Sequence, residues 1–460
     1  MSGLPLLGQP GLDATFAWLP DGPRSAGEYL AEVAALQALL ETQAPAGSWL
    51  LNLCQDRYRF AVGFAAGLLS GKTSLQPASQ SPETLRRLQA EYPGLLCLCD
   101  SDFDSLDLPR LDFPAQLAVQ GDDQRAAVNP KSPPKMPLIP AERVAAILFT
   151  SGSTGQPQAH AKTWGKLLAN GRAEAERLGL LQQEHSIVGT VPVQHSYGFE
   201  STFLMALAGG GSFWAGKPFF PQDIAAALAA VPQPRLLVTT PFHLSALLSA
   251  EVELPPVDLL LSATAPLSGD LAQRAETVCQ APLFEIYGST ESGQLASRRT
   301  TEGDAWQLLP GVRLTQTGDV TTASGGHVEG EVPLGDLIEL AGDGGFTLVG
   351  RHADLINIAG KRTSLAYLNH QITAIDGVAD AAFFLPDEAG PDGITRLAAF
   401  VVAPGMDRRQ LLAALRQRID AIFLPRPLVF VDALPRNSTG KLPRSALQAL
   451  FKERLAHGSH

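Results

Sequence analysis

The sequence predicts an α/β protein: a large N-terminal α/β domain with parallel-rich sheets, followed by a small α+β C-terminal domain. Three observations predict it. The chain has 460 residues, more than one domain ordinarily holds. Short apolar runs alternate with helix-period segments through the first 350 residues, the pattern of a mostly parallel sheet. The charge balance then changes sign. Residues 351–460 carry 14 Lys+Arg against 10 Asp+Glu, which leaves 21 against 36 in residues 1–350. An acidic body and a mildly basic tail read as separate units, 1–350 and 351–460.

The elements follow in order. Tyr29, Leu30, Val33, Leu36, Leu39 and Leu40 recur at helical spacing, so 25–43 reads as a helix. A second apolar helix is expected over 56–70, an extended piece over 73–76 and a third helix over 82–92. Residues 120–140 are polar and proline-rich and read as a linker or exposed loop. Strands are expected at 145–149, 186–190, 236–239 and 259–261. In the tail, 381–385, 397–402 and 428–431 read as strands and 409–422 as an amphipathic helix.

Composition removes several classes of function. With 45% hydrophobic and 18% charged residues the chain has the apolar mass for a real core, which excludes wholesale disorder. A net charge of −11 argues against a nucleic-acid binder. The apolar run from Phe203 to Trp214 is interrupted by three glycines and is too short for a bilayer, so no integral membrane segment is expected. Cys54, Cys97, Cys99 and Cys279 stand at neither zinc nor disulfide-framework spacing, and the opening residues carry no basic stretch of a signal peptide. Buried, inert thiols in a reducing cytoplasm are expected. The segment from Gly67 to Thr73 approaches a phosphate-binding P-loop, but three residues separate Gly67 from Gly71 where that motif needs four. A helix C-cap at Gly71 is expected instead.

The strongest chemical signal begins at Ile147. An apolar strand runs into Thr150-Ser151-Gly152-Ser153-Thr154-Gly155. Glycines let backbone approach a ligand, and hydroxyls with exposed N–H groups suit phosphate oxygens. Further on, Tyr287-Gly288-Ser289-Thr290-Glu291 places an aromatic face, a hydroxyl and a carboxylate within five residues, a set able to serve a base, a phosphate and a hard cation.

These strings resemble the signatures of the adenylate-forming enzymes, the superfamily of acyl-CoA synthetases, peptide-synthetase adenylation domains and luciferases. Other segments resemble its motifs in the same order. The resemblance implies that Thr150 to Gly155 hold the β- and γ-phosphates of ATP, and that Ala263 and Thr264 form a small-residue turn against adenine. It implies that Tyr287, beside Gly288, stacks on the base, Thr290 touches phosphate and Glu291 binds Mg²⁺. Asp336, in Gly335-Asp336-Leu337, would accept both ribose hydroxyls, and Arg351 would contact the ribose and phosphate side at a hinge. Lys441, in the segment Leu434 to Arg444, would be the catalytic lysine bridging substrate carboxylate and α-phosphate. His195 resembles the residue beside the family's acyl site. The implied fold is an adenylation domain followed by a small mobile domain.

Departures are visible as well. The family's first motif continues Pro-Lys-Gly, whereas this chain has Pro157-Gln158-Ala159, with Lys162 a few residues on as a possible substitute. Ala353 stands where the family has a hinge Asp or Lys. The acyl pocket is expected to draw on Tyr197, Phe199, Phe213, Trp214, Phe242 and Ala263, which favours an aryl or fatty acid. Glu200 is the one carboxylate near the position that would serve an amino-acid substrate. The compact N-terminal part resembles short bacterial AMP-ligases of aryl-polyene and related lipid pathways. The expected reaction is ATP-dependent activation of a carboxylic acid to an acyl-adenylate, then transfer to a thiol of CoA or of the phosphopantetheine arm of an acyl carrier protein. The alternative is an inactive, nucleotide-binding relative acting as a partner or sensor.

Overall fold

In the computed structural model, several helices begin at side-chain caps that the sequence supplies. The structure describes residues 3–8, 11–43, 47–77, 80–101, 108–115, 117, 135–150, 157–250, 252–318, 320–342, 344–351, 355–358, 361–386, 396–437 and 442–457. The expected helices are Ala26–Gln43, Arg57–Leu69 and Pro82–Glu91. Asp56 caps the second by accepting from Arg59 N–H at 2.9 Å. Gly71, with φ of 77°, ends it: its N–H bonds Leu68 O and the Lys72 N–H bonds Gly67 O, the two bonds of a Schellman cap. The Gly67 to Thr73 segment is thus a helix stop, and the Lys72 ammonium is spent on Gly47 O at 2.7 Å.

Two compact units emerge. The first comprises Met1–Ala263, Leu271–Thr315 and Thr322–Val332; the second comprises Thr264–Asp270, Gln316–Thr321 and Pro333–His460. Among the described residues a two-stranded sheet pairs Gly3–Pro5 with Leu138–Pro140, and the first unit contributes to two large sheets. One runs Gln158–Thr163, Val144–Thr150, Thr73–Gln76, Trp49–Asn52, Leu96–Cys99, Arg110–Asp112, parallel throughout except for its first pair. In the other, Leu283–Ser289, Leu259–Ser262, Arg235–Thr239, His185–Gly189, Gly211–Trp214 and Thr15–Leu19 lie side by side and parallel. Gly293–Arg299 folds back antiparallel on Leu283–Ser289.

The largest core joins helices and sheets of this unit around Phe60, Phe64, Phe199 and Phe203, whose ring centroids lie 5.4–6.4 Å apart. The run that follows Gly198 is buried except at Gly209, as π-helical turns at Phe199–Leu204 and Ala206–Gly210. Among the described residues no helix is long and apolar enough to cross a membrane. The cysteines are free thiols, with Cys54, Cys97 and Cys99 buried, and burial pushes the Cys97 thiol up to about 12.

The second unit is α+β. Asp380–Phe384 pairs antiparallel with Ala398–Val402, which pairs parallel with Leu428–Phe430. Alternation sorts its residues to two faces. Phe383, Ala399 and Val401 pack with Leu368, Ile372, Leu411 and Leu415 of two helices; Phe384 and Phe400 pack with Leu434 and Leu447. The helix expected over 409–422 is shorter, Arg408–Arg416. Asp420 interrupts it: in extended conformation, it caps a separate 3₁₀ turn, Ala421–Phe423, by accepting from the Ile422 N–H at 3.2 Å.

Burial in the first unit reaches ionisable groups. Glu174 is fully buried beside Ser201 and Gln294, with neither carboxyl oxygen in a well-formed hydrogen bond, and burial raises its pKa from 4.5 to about 8. Between those values the folded protein keeps a proton that the unfolded chain has released, so this group lowers stability as pH rises through that window. Replacing Glu174→Gln removes the exchange. Melting temperature followed from pH 4.5 to 8 is expected to decline less in the variant than in the wild type; parallel curves would refute the assignment.

Candidate active site

The sequence motifs collect at strand ends. Four neighbouring parallel strands finish at Gly189, Thr239, Ser262 and Ser289, and the segments that follow them carry His195, Pro241, Ala263 and Glu291. Ligands of open α/β sheets bind at this carboxyl edge. Thr150 ends a strand of the other sheet, and residues 151–155, between it and Gln158–Thr163 in the sequence, lie outside the described residues.

Tyr287 to Ser292 form the end of a strand and its hairpin turn, with Ser289 paired to Gly293. Two glycines make the turn possible. A Cβ on Gly288 would sit 2.3 Å from Gly293 O, and Gly293 has φ of 74°. Ser289 and Ser292 brace it, their hydroxyls 3.0 Å apart and each accepting from the other's N–H at 3.2 Å. Thr290 at its tip donates to the Ser196 hydroxyl at 3.3 Å, next to His195. The Tyr287 ring stands 5.7 Å from Trp306, which carries the Arg298 guanidinium over its face at 4.6 Å.

Glu291 is gripped from the other sheet. Gln158–Thr163 sends alternate side chains to one face, so Gln158, His160 and Lys162 align. Lys162 is buried and donates to Glu291 O at 2.7 Å, while His160 Nε2 lies 3.8 Å from Glu291 Oε1 and 3.1 Å from Thr150 Oγ1. Burial lowers the Lys162 pKa, opposed by the carboxylates of Glu200, Glu329 and Glu291. Burial also lowers that of His160, opposed by Glu291. Lys162 is therefore committed to the interior, whereas Gln158, the position of the family's lysine, is exposed. Sequence reading passed over His160; period-two spacing on a strand following Thr150 was the signal that could have found it.

His195 caps a short helical turn, its Nδ1 accepting from the Tyr197 N–H at 3.2 Å, which leaves the ring proton of the neutral form on Nε2. Tyr197 donates to Leu261 O at 3.1 Å, joining this loop to the strand before Ala263. Thr264, next along, holds φ of 82°, a strained value for a branched residue. Phe199 and Phe213 belong to the core, Phe213 lying edge-on to Phe16 at 5.3 Å, and Phe242 is exposed. Glu200 is buried with its carboxyl facing Lys162 and Asn170, its pKa raised by burial to about 7.

In the second unit Asp336 and Arg351 are cross-strand partners at the open end of the hairpin Asp336–Leu340/Gly345–Arg351. Lys441 and Ala353 lie outside the described residues, but the flanks of the Lys441 segment are fixed. Arg436 pairs with both oxygens of Asp380 at 2.8 and 2.7 Å. Arg444 donates to Leu385 O at 3.0 Å and lies over the Phe384 ring at 5.4 Å. Both arginines thus anchor on the strand Asp380–Phe384, one at each end.

Residues 96–323 match the family described as AMP-binding enzyme, and residues 369–441 match the AMP-binding enzyme C-terminal domain. A 4-coumarate–CoA ligase of Rhodobacter capsulatus is 30% identical over 306 residues, covering 65% of this chain and 75% of that protein. The chain belongs to the adenylate-forming superfamily. This adenylate-forming enzyme is also similar to a 4-coumarate–CoA ligase of Cereibacter sphaeroides, 28% identical over 298 residues, covering 64% of this chain and 69% of that one. It shares its fold with ATP-bound MatB from Rhodopseudomonas palustris, with a TM-score of 0.80 at 20% identity over 97% of both chains. The superfamily's adenylation-plus-small-domain architecture matches the expected fold class, and the chain is an AMP-forming acyl synthetase, an acid–thiol ligase.

The Gly288 contact is open to test. Gly288→Ala forces a methyl against Gly293 O and is expected to destabilise the fold by about 1–3 kcal/mol. Urea unfolding reads this, and an unchanged midpoint would mean that the hairpin yields.

Proposed function

We propose that the enzyme activates an aryl or fatty carboxylic acid with ATP to an acyl-adenylate and passes the acyl group to a thiol of CoA or of an acyl carrier protein, in the cytoplasm. The observation that carries the reading is the convergence of Thr150, Glu291 and the Thr290–Ser196 pair, linked through contacts of 3.1 to 3.8 Å. Hydroxyls and one carboxylate from three motifs then face the same edge of the sheets, the donor set a metal-bound triphosphate requires.

Mg²⁺ fits the residues. The Glu291 side chain is 36% exposed, and no group of three or more His, Cys, Asp or Glu able to cage a metal occurs among the described residues. That matches an ion held by one or two carboxylates, waters and substrate phosphates. Glu291 would hold it, and when bound it supplies neutralisation of phosphate charge.

Within this proposal a carboxylate oxygen of the acid attacks the α-phosphorus, the bond to the bridging oxygen breaks, and pyrophosphate leaves. Thr150 and Thr290 orient phosphate oxygens; Ser151 to Gly155 would cradle the β- and γ-phosphates. Ala263, Thr264, Tyr287 and Gly288 would border adenine, with Asp336 and Arg351 on the ribose side. Lys441 would bridge the reacting carboxylate and the α-phosphate. His195 would stand beside the acid. The thiol then attacks the acyl carbon and AMP departs. Residues 1–350 would serve as the adenylation domain, with a mobile small domain, 351–460, carrying Lys441 through a hinge at Arg351. The names of the 4-coumarate–CoA ligases favour an aryl acid and CoA. The engagement of Glu200 with Lys162 and Asn170 disfavours an amino acid, since its carboxyl is not available to an ammonium group.

Pyrophosphate release tests the reading, measured with aryl, fatty and amino acids, with and without CoA. Lys441→Ala is expected to lower the acid-dependent rate by about 10²–10³-fold. Release that rises further with CoA identifies the acceptor. A wild-type enzyme silent with every acid, or a variant as active as the wild type, refutes the assignment.

A further inference from the structure

Resting on the reading of Glu291 as a cation ligand, we propose that Lys162 and His160 are positioning residues, Lys162 through its hydrogen bond to the Glu291 carbonyl and His160 by standing beside the Glu291 carboxylate, and that they thereby set the cation-binding geometry. The strand Gln158–Thr163 presents both side chains on one face. The Lys162 ammonium fixes the main chain of Glu291 at 2.7 Å. One atom of His160, Nε2, is hydrogen-bonded to the Thr150 hydroxyl at 3.1 Å and lies 3.8 Å from the Glu291 carboxylate. One strand therefore governs where the acidic group lies relative to the end of the phosphate-loop strand.

The setting of Lys162 explains why a cation is kept there. It is 5% exposed, and the carboxylates of Glu200, Glu329 and Glu291 surround it. Glu329 is itself fixed, accepting from the N–H and hydroxyl of Thr163 at 2.7 and 2.8 Å. An apolar residue at 162 would leave Glu291 O without its donor and free the hairpin tip to shift, within the limits of the Ser289–Ser292 brace. Residues that orient a metal ligand without touching the metal are worth about 10–100-fold in metal affinity.

The experiment reads metal binding rather than turnover. Mn²⁺ is titrated into the full chain with a non-hydrolysable ATP analogue present, free Mn²⁺ being read by electron paramagnetic resonance. Wild type, Lys162→Met, His160→Leu, His160→Gln and Glu291→Gln are compared, and analogue affinity is repeated in EDTA. Lys162→Met and His160→Leu are each expected to weaken Mn²⁺ binding by about tenfold while leaving metal-free nucleotide affinity unchanged. His160→Gln, whose amide reaches the Nε2 position, is expected to restore most of the loss. Wild-type Mn²⁺ affinity in both variants overturns the proposal, as does a loss that appears equally in EDTA, which a merely structural role would give. Should Lys162→Met fail to fold, as three uncompensated carboxylates invite, His160→Leu decides, because it leaves the ammonium in place. Glu291→Gln separates the layers: if it alone weakens Mn²⁺, positioning is wrong and the ligand assignment stands; if it binds as wild type, the ligand assignment fails and positioning with it.

Discussion

A hydrogen bond from a buried ammonium to a main-chain carbonyl, Lys162 to Glu291, ties the two sheets of the larger unit together where their motifs meet. A charge so deep needs both hydrogen-bond partners and counter-charges. It finds the first in the hairpin tip and the second in Glu200 and Glu329. The arrangement cannot be cut at one point without cost elsewhere. Removing the cation strands the carboxylates, and moving the hairpin strands the cation. The geometry at Glu291 is thus set by interior electrostatics, although Glu291 itself is half-buried.

Parallel strands supply the other half of the arrangement. All chains in such a sheet leave by the same edge, so residues far apart in sequence gather there without any local signal. His195 lies in the connection after Gly189 and Glu291 in the hairpin turn after Ser289, yet Thr290 reaches Ser196 at 3.3 Å. Further in, Tyr197 bonds Leu261 O, tying the strand Leu259–Ser262 into the same edge. The strained φ of Thr264 falls just after that strand, where the surrounding structure must hold a conformation that a branched residue does not choose for itself.

The smaller unit uses a different device. Its sheet is covered on both faces, and the segment bearing Lys441 is bracketed by Arg436 and Arg444, anchored at opposite ends of one strand. The Asp380 carboxylate holds the Arg436 guanidinium in its charged form, and the fork geometry of that pair fixes direction as well as distance. Arginine suits both flanks because it can bond and stack at once.

By itself the sequence determined the fold class, the helices Ala26–Gln43 and Arg57–Leu69, the core strands, the Gly71 stop and the chemical vocabulary of the site. These depend on local period, caps and motif strings, all of which a linear reading contains. It overextended the helix Arg408–Arg416, because the capping preference of Asp420 competes with apolar periodicity and wins. It also left Lys162 as a possible phosphate ligand. Only the tertiary structure decided that this side chain turns inward to Glu291 O, that His160 bonds Thr150 beside the Glu291 carboxylate, and that Glu200 is committed to a buried neighbourhood. The physical reason is that these contacts join different sheets and helices. Their energy comes from burial and from charges brought close in a low-dielectric interior, and neither exists until the chain has folded.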